Sequence, residues 1–548
     1  MKKSLILFQV FTCILFSDLL MSQSSSELRF PIPLKSESVF SYGTDVLIHP
    51  DPTESQDNCR ISVASNGDIY VTYTLYDGGF VVARSMDNGL TWTRTQTLHP
   101  DYSIHSIDIV AAGNPNDSIK VWVIHSGEMS EWPSQSVLTL EELNAALITI
   151  ECTPIDTTES VYGYFSVAIA SDYINPSAGT NPYSLAILYS KFDMNSNSVF
   201  FLSSGTGNSQ FDNTRLVAET SEGLVKKVAL AFGRSNSYPD GKYFAGWHVQ
   251  FQNWWGYDYE GQIYTSFTPN QYNGTWMAPI RVDTLVANGS GKCKHLSIAC
   301  QINDLNNNSS GISSVILFER LPWMPMAGYN GIVGVYNLNP VQNPVWTPLT
   351  LESLDNTWSM HPDITFDPGT NNFFATWCDS TNQKLKTAYQ TFELPSPSNW
   401  NILSNGYNDT ANLKAPFPRV KSGVTNNLLA HVWSGNQYSG NGNATFDGAT
   451  LWMALPTDGQ LEKLYRMSLS PNPAKDFTEL SFESESTSKW VIAILSLSGS
   501  VIQNLGEIDL KKGKNKITLD LTRLPSGMYY CSLVSGNIKA FDKIFIIK

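Results

Sequence analysis

A loose repeat of paired strands constrains the fold of this chain more than any other feature. Between about residue 40 and residue 460, a short apolar run, a turn and a second apolar run recur seven times. The pairs are 61–63 with 69–73, 107–110 with 119–124, 167–169 with 185–189, 228–232 with 243–247, 296–299 with 314–318, 364–366 with 373–377, and Val420 with 428–433. Units of two hairpins can pack radially around an axis, which leaves only short, protected strand edges. The repeat therefore predicts an all-β chain with a β-propeller at 40–460, of six to eight blades with seven favoured; a long two-sheet sandwich is the alternative.

Composition is typical of an exported β-rich protein. Charged residues make up only 15% of the chain and aromatic residues 12%, and Asn, Ser, Thr and Gly are abundant. This balance suits a secreted β-rich fold better than a helical cytosolic one. The formal net charge of -14 argues against nucleic-acid binding.

The cysteines indicate neither a disulfide framework nor a metal site, because they are scattered and lack a CxxC spacing. The six beyond the amino-terminal segment are Cys59, Cys152, Cys293, Cys300, Cys378 and Cys531. Cys293 and Cys300 are close enough in sequence for a local bridge, and two separate buried thiols fit as well. No cofactor and no metal are predicted.

The amino-terminal segment has the pattern of a cleavable signal peptide. Lys2 and Lys3 precede a mostly apolar stretch at 5–19, and a polar run follows at 22–26. We therefore predict a signal peptide at 1–23. No later segment approaches eighteen consecutive apolar residues, so no transmembrane segment is expected in the mature chain.

The carboxyl-terminal segment at 465–548 differs from the rest in charge and pattern. It contains eleven Lys/Arg and eight Asp/Glu, a net charge of +3, which leaves -17 for residues 1–464. Runs at 477–482, 490–497, 516–521 and 528–534 are β-branched or alternate apolar with polar residues, and turn clusters separate them. A separate small Ig-like β-sandwich is predicted here.

Three motifs in this segment carry a family resemblance. They read LSPNP at 469–473, LPSGMYY at 524–530 and KIFIIK at 543–548. In this order they resemble the type A C-terminal sorting domain of the type IX secretion system. The resemblance implies export through the outer membrane to the cell surface or medium, with the secretion machinery as partner and the domain usually removed. A sandwich that only packs or binds sugar is the alternative.

A second resemblance lies in the first repeat unit. Residues 85–92 read SMDNGLTW and fit S-x-D-x-G-x-T-W, which is similar to the Asp box (BNR repeat) of sialidase-like propellers. After Ser85, Asp87 can accept hydrogen bonds from its own turn, Gly89 allows a positive φ, and Trp92 can pack between neighbouring sheets. The motif therefore indicates fold rather than chemistry.

The same unit is similar in order to the first blade of sialidases, where Arg-Ile-Pro opens the inner strand and an acid/base Asp follows. Arg60 and Asp77 stand at these positions. The resemblance implies that Arg60 holds an anionic group and that Asp77 is the catalytic acid/base. Ser62 replaces the proline, the loop around Asp77 lacks the second arginine, and no context identifies a nucleophile.

Five basic residues stand at or just before the start of the first strand in different units. They are Arg60, His105, His295, His361 and Arg419. A closed propeller would gather them around one mouth of its central channel. Arginine and histidine there suit a carboxylate or sulfate ligand. Zinc bound by the histidines, or simple capping of strand ends and channel water, are the other interpretations.

An aromatic segment at 250–260 is a further candidate site. Trp254, Trp255 and Tyr257 are mixed there with amides and carboxylates. These rings could stack on sugars, or could pack between sheets. Consecutive Trp254 and Trp255 point to opposite faces of an extended segment, which places one of them in the core.

The sequence thus favours a secreted or cell-surface bacterial β-propeller that recognises an extracellular glycan or polymer. A sialidase-like glycoside hydrolase or a lyase is one alternative, with Asp77 and Arg60 in the active site. A non-catalytic structural surface protein is the other. The missing nucleophile motif favours binding, and the basic ring disfavours a purely structural role.

Overall fold

A computed structural model describes residues 42–48, 56–75, 77–113, 119–129, 132–158, 165–172, 184–192, 197–204, 211, 214–220, 223–251, 260–268, 276–286, 292–302, 311–321, 330–352, 357–368, 371–391, 400–403, 413–423, 429–437, 450–456, 467–484, 488–495, 501–535 and 538–548. Internal contacts divide the chain into Tyr42–Pro456 and a unit that includes Thr457–Lys548. The predicted signal peptide at 1–23 lies outside the described residues. Within these ranges the helical structure is a 3-10 turn at Asp283–Leu285, and no helix has the length and apolar character to cross a membrane.

Among the described residues, the first unit contains seven four-stranded antiparallel sheets. Its strands are β1 (Tyr42–Leu47), β2 (Gln56–Val63), β3 (Ile69–Leu75), β4 (Phe80–Ser85), β5 (Thr93–Arg94), β6 (Tyr102–Ala112), β7 (Lys120–Met129), β8 (Trp132–Asn144), β9 (Thr149–Thr158), β10 (Phe165–Ser171), β11 (Leu185–Phe192), β12 (Asn197–Ser203), β13 (Arg215–Glu219), β14 (Leu224–Ser235), β15 (Tyr238–Phe251), β16 (Glu260–Phe267), β17 (Ile280–Arg281), β18 (Cys293–Cys300), β19 (Ser314–Arg320), β20 (Gly331–Asn337), β21 (Thr347–Glu352), β22 (Ser359–Asp367), β23 (Asn372–Asp379), β24 (Lys384–Thr391), β25 (Asn401–Leu403), β26 (Leu413–Ser422), β27 (Leu429–Gln437) and β28 (Thr450–Pro456). Six sheets use four consecutive strands each, from β2–β5 to β22–β25, and the seventh has the order β1-β28-β27-β26.

The first strands of successive sheets lie against one another. β2 contacts β6, and the series continues through β10, β14, β18, β22 and β26, with β26 also against β2. In the seventh sheet, β1 pairs antiparallel with β28, as in the register Val46↔Met453. The prediction of an all-β, propeller-like architecture is thereby confirmed in its coarse form.

Burial explains why the strand pairs found in the sequence are continuously apolar. Each sheet packs between two others, so both faces of its first two strands are covered. β10 is buried at every position, and so is β23. The fourth strands lie at the outside; β9, for example, is mostly exposed.

Hydrogen bonds tie neighbouring first strands together beyond the apolar contacts. The Ser62 hydroxyl accepts from the backbone N–H of Ala111 at 2.9 Å, and the Ser166 hydroxyl accepts from that of Val228 at 3.1 Å. These bonds satisfy buried polar groups across the sheet-to-sheet interface.

The turn after β4 is held by the residues singled out at 85–92. Asp87 accepts from the Thr91 backbone N–H at 2.9 Å and from the Thr91 hydroxyl at 2.6 Å. Gly89 has a φ of 96°, and the Trp92 indole donates to the Gly89 carbonyl at 3.0 Å. The Trp92 ring packs against the cluster that joins the first sheet to β27. Partial burial opposes ionisation of Asp87, but the bonds from Thr91 and Ser85 outweigh it and lower the pKa.

Replacing Asp87 with Ala is expected to lower the free energy of unfolding by about 1–3 kcal/mol, because the donors of Thr91 lose their charged acceptor. Asp87→Asn keeps one acceptor oxygen, so its free energy of unfolding should lie between those of the wild type and Asp87→Ala. Denaturant unfolding measures both changes. A ligand should bind both variants normally; weaker binding at unchanged stability would show that Asp87 has a functional role instead.

Cys293 and Cys300 are separate buried thiols at opposite ends of β18. A strand of this length holds its ends roughly 23 Å apart, which is too far for a disulfide. The local bridge considered from the sequence does not form.

The second unit contains two antiparallel sheets around one core. Its strands are β29 (Met467–Ser470), β30 (Phe477–Ser484), β31 (Ser488–Leu495), β32 (Val501–Leu510), β33 (Gly513–Asp520), β34 (Gly527–Ser535) and β35 (Ile538–Ile546). The sheet orders are β29-β30-β33 and β32-β31-β34-β35. Phe482 and Trp490 meet edge-to-face at 4.9 Å inside the core. The unit therefore has a hydrophobic core of its own.

Candidate functional site

A cavity of about 860 Å³ opens among the first strands of the seven sheets. The five residues predicted at its mouth all line it: Arg60, His105, His295, His361 and Arg419. The structure thus brings together side chains from five different sheets.

The remaining predicted site residues lie elsewhere. Asp77 is exposed in the turn between β3 and β4 and does not line the cavity. Trp254, Trp255 and Tyr257 lie outside the described residues, so the aromatic platform stays a prediction.

β-Bulges direct the residues at the cavity mouth. Six of the seven first strands shift register near their start, and β10 is the exception. The shifts fall at Asp57/Arg60, Ile104/Ser106, Val225/Lys227, Lys294/Ser297, Met360/Asp363 and Lys414/Phe417. His295 and His361 lie inside such bulges, with φ of 52° and 57°. This left-handed backbone costs roughly 1–3 kcal/mol per residue and tends to occur at functional sites.

Arg60 and Arg419 bring two like charges together in the cavity. Each guanidinium donates to the carbonyl of the preceding residue at 2.8 Å. The carboxylate of Asp108 lies 4.0 Å from Arg60 Nε. Burial, and next the charge of Arg419, lower the pKa of Arg60 to about 10. An anion bound between the two guanidiniums would relieve this repulsion and occupy their remaining N–H groups.

Two carboxylates of the cavity wall are already engaged in linking the strands. Asp108 Oδ2 accepts from the backbone N–H of Ile169 at 3.0 Å. Asp363 accepts from the Ser297 hydroxyl at 2.7 Å and from the backbone N–H of Val420 at 2.9 Å. Because these bonds cross from sheet to sheet, both aspartates hold the first strands together.

Four lysines that the sequence pattern did not single out also line the cavity. The basic residues of the wall are Arg60, Lys226, Lys227, Lys294, Arg419 and Lys421, against Asp108, Glu128 and Asp363. Burial, and next the charges of Arg60 and Arg419, lower the pKa of Lys227 well below its usual value. A signal was present: Lys226 and Lys227 stand directly before the run 228–232, just as Arg60 stands before 61–63.

A histidine pair and a buried glutamate support the rim. His361 Nδ1 and His295 Nδ1 lie 3.0 Å apart, so one ring donates to the other. Glu319 is fully buried, accepts from Asn330 Nδ2 at 2.6 Å and pairs with Lys294 at 3.4 Å. Burial raises the pKa of Glu319 to about 7 and lowers the pKa of His361 to about 3. These groups satisfy one another, and the neutral His361 can present an N–H or a lone pair to a ligand.

Fold and cavity define the class: an all-β, propeller-like protein with a positively lined central cavity, followed by a separate β-sandwich unit. Residues 468–548 match the family described as the secretion system C-terminal sorting domain. This match confirms the prediction made from the three motifs. It indicates export by the type IX system to the cell surface or extracellular space.

Comparison with other proteins adds distant likenesses. No curated protein matches the sequence. The α-L-arabinofuranosidase Arb93A from Fusarium graminearum is 12% identical, with a TM-score of 0.41 and coverage of 64% of this chain and 99% of its own. A protein of unknown function from Dyadobacter fermentans is 9% identical, with a TM-score of 0.42 and coverage of 76% and 98%. A lectin from Aleuria aurantia is 9% identical, with a TM-score of 0.33 and coverage of 64% and 94%. At these TM-scores the likenesses carry no argument about function.

Proposed function

We propose that residues 42–456 form a closed, seven-bladed, sialidase-like β-propeller whose cavity binds an anionic extracellular glycan or polymer. One observation carries the proposal. The cavity wall has six Lys/Arg and three Asp/Glu, although the chain as a whole has a net charge of -14. A positive cavity in an acidic protein attracts and orients carboxylate or sulfate groups.

Closure of the propeller is supported by the strand contacts. β26 contacts β2 as well as β22, and β1 completes the sheet of β26–β28. A last sheet built from both ends of the unit would fasten the ring. The aromatic residues Trp254, Trp255 and Tyr257 remain candidates for stacking on sugar rings.

Binding is favoured over hydrolysis by the state of the cavity carboxylates. Most glycoside hydrolases use two carboxyl groups, one as acid/base and the other as nucleophile or base, and sialidases keep one carboxyl group as acid/base beside a tyrosine nucleophile. Asp108 and Asp363 already accept hydrogen bonds from neighbouring strands, Glu128 lies 3.6 Å from His105, and Asp77 is outside the cavity wall. A sialidase-like activity would therefore need residues other than the predicted Asp77.

Arg60→Ala is expected to weaken binding of a sulfated polysaccharide by about 1.5–3 kcal/mol, the worth of a hydrogen bond to a charged group. This corresponds to a roughly 10- to 150-fold higher Kd. Calorimetric titration of the purified protein measures it. The variant should be at least as stable as the wild type, because burial and the charge of Arg419 both oppose a charged Arg60.

Arg94→Ala is the matched control, since Arg94 is exposed on the outer strand β5. It should bind normally. The desulfated polysaccharide should bind weakly to all three proteins, and binding of the sulfated form should weaken with salt. Equal affinity for both polymers would refute an anion site, and release of reducing ends from either would identify an enzyme.

A further inference from the structure

A second group of histidine and carboxylate side chains lies away from the cavity, between the first and second sheets. It consists of His99 from the connection between β5 and β6, His125 on β7 and Glu141 on β8. One ligand atom from each residue lies within 4.8 Å of the others. His99 Nε2 and Glu141 Oε1 are 2.5 Å apart.

Within the described part of the chain, the imidazole of His125 is buried without polar partners. It is completely buried, and neither ring nitrogen has a hydrogen-bond partner among the described residues. Its ring lies 4.9 Å from that of Phe80 and 5.0 Å from that of His99. A buried polar atom without a protein partner is costly and rare, and ligation of an ion is one of its ordinary explanations.

The other histidine and glutamate group provides a contrast. At the cavity rim, the His295 and His361 rings bond to each other, and Glu319 is satisfied by Asn330 and Lys294. Protein contacts are sufficient there. In the group between the sheets, a bond between His99 and Glu141 leaves both nitrogens of His125 unsatisfied.

We propose that His99, His125 and Glu141 bind a divalent transition metal ion of the zinc class that fastens the β5–β6 connection to the second sheet. Zinc prefers imidazole nitrogens and a carboxylate oxygen at about 2.0–2.2 Å, which places tetrahedral ligands roughly 3.3 Å apart. The three ligand atoms lie within 4.8 Å of one another, so binding has to close the remaining distance by side-chain rotation. The fourth position of a tetrahedral ion is left for a water molecule.

The backbone around His99 is built to hold it in position. The Gly79 N–H donates to the Tyr102 carbonyl at 2.7 Å, and Gly79 has a φ of 73°. A Cβ at Gly79 would overlap the Leu98 carbonyl oxygen. Only glycine allows the segment carrying His99 to approach so closely. A fixed ligand of this kind is what a structural metal site requires.

The test uses the purified full chain, stripped with EDTA and then equilibrated with Zn²⁺. We expect about one bound zinc per chain by elemental analysis and a higher Tm with zinc than with EDTA. His99→Ala and Glu141→Gln, which change different elements, should each weaken zinc binding by more than about 100-fold, since even supporting residues of such sites contribute 10- to 100-fold.

His361→Gln is the matched control, because it alters the other histidine group and should keep the zinc. If His99→Ala unfolds the chain, the zinc content of Glu141→Gln alone tests the proposal. Absence of bound zinc in the wild type would overturn the proposal. So would retention of zinc in Glu141→Gln, or loss of zinc in His361→Gln with retention in His99→Ala, which would assign the metal to the cavity.

Discussion

A chain that lacks residues 468–548 is expected to accumulate in the periplasm of its native host and to disappear from the cell surface. These residues match the sorting-domain family, and they lie in a unit separate from Tyr42–Pro456. Because the first unit has its own cores, the truncated protein should still fold. Cell fractionation with surface proteolysis measures the location, and the Tm of the recovered protein measures folding.

The reciprocal fusion controls for damage to folding. Residues 457–548 attached to an unrelated periplasmic protein should carry it to the surface. Normal surface display of the truncated chain would contradict a sorting role. If the truncated chain is missing from the surface only because it is degraded, no folded protein will be recovered from the periplasm.

Acid is expected to destabilise the first unit strongly. Burial lowers the pKa of His248, His361 and His431 to about 3, and lowers that of His295 well below its usual value. Between about pH 3 and 6.5 the unfolded chain therefore binds more protons than the folded one. The contribution to stability is fully present above pH 6.5 and is lost as the pH falls, by roughly 1.4 kcal/mol per pH unit for each histidine. Unfolding in denaturant at pH 7 and pH 5 should differ on the order of 5–8 kcal/mol.

Variants separate the contributions to this acid response. His248→Gln should reduce the loss of stability between pH 7 and pH 5 by about the share of one histidine. Glu319 acts with the opposite sign: because burial raises its pKa from 4.5 to about 7, its contribution to stability is present at acid pH and is lost as the pH rises through this range. Glu319→Gln should therefore gain stability at pH 8 relative to the wild type and lose that advantage by pH 5. A flat profile in the wild type would mean that these histidines are hydrated in solution.

The inner half of each sheet was predictable, and the outer half was not. The seven strand pairs found in the sequence fall on the first two strands of the seven sheets, because packing between neighbours makes both faces apolar. The fourth strands escaped prediction. β5 and β17 have two residues each, partly or wholly exposed, so no apolar run marks them. The pairing of β1 with β28 joins opposite ends of the unit, and no local pattern encodes it.

The basic residues of the cavity could be predicted from the sequence, and the backbone geometry that positions them could not. The basic residues before five first strands could be read from their position, since strand starts in a ring of sheets converge. The left-handed backbone at His295 and His361 could not be predicted, because it results from a shift of register against the next strand, β19 or β23. Asp77 was inferred from motif order alone. Its neighbour Gly79 has a packing requirement instead, the close approach of the Leu98 carbonyl.

The bulges at the strand starts separate two kinds of evolutionary constraint. In a regular strand every second side chain points to the same face. A substitution on a covered face must therefore fit the packing against the neighbouring sheet. A bulged residue is left out of the ladder. Where its side chain does not pack in a core, as those of Cys59 and Leu296 do, it can change while the ladder behind it keeps its register. Six short segments on one rim can therefore diversify independently of the cores. A single scaffold of this kind could be adapted to new extracellular polymers by altering rim positions, without redesigning the fold.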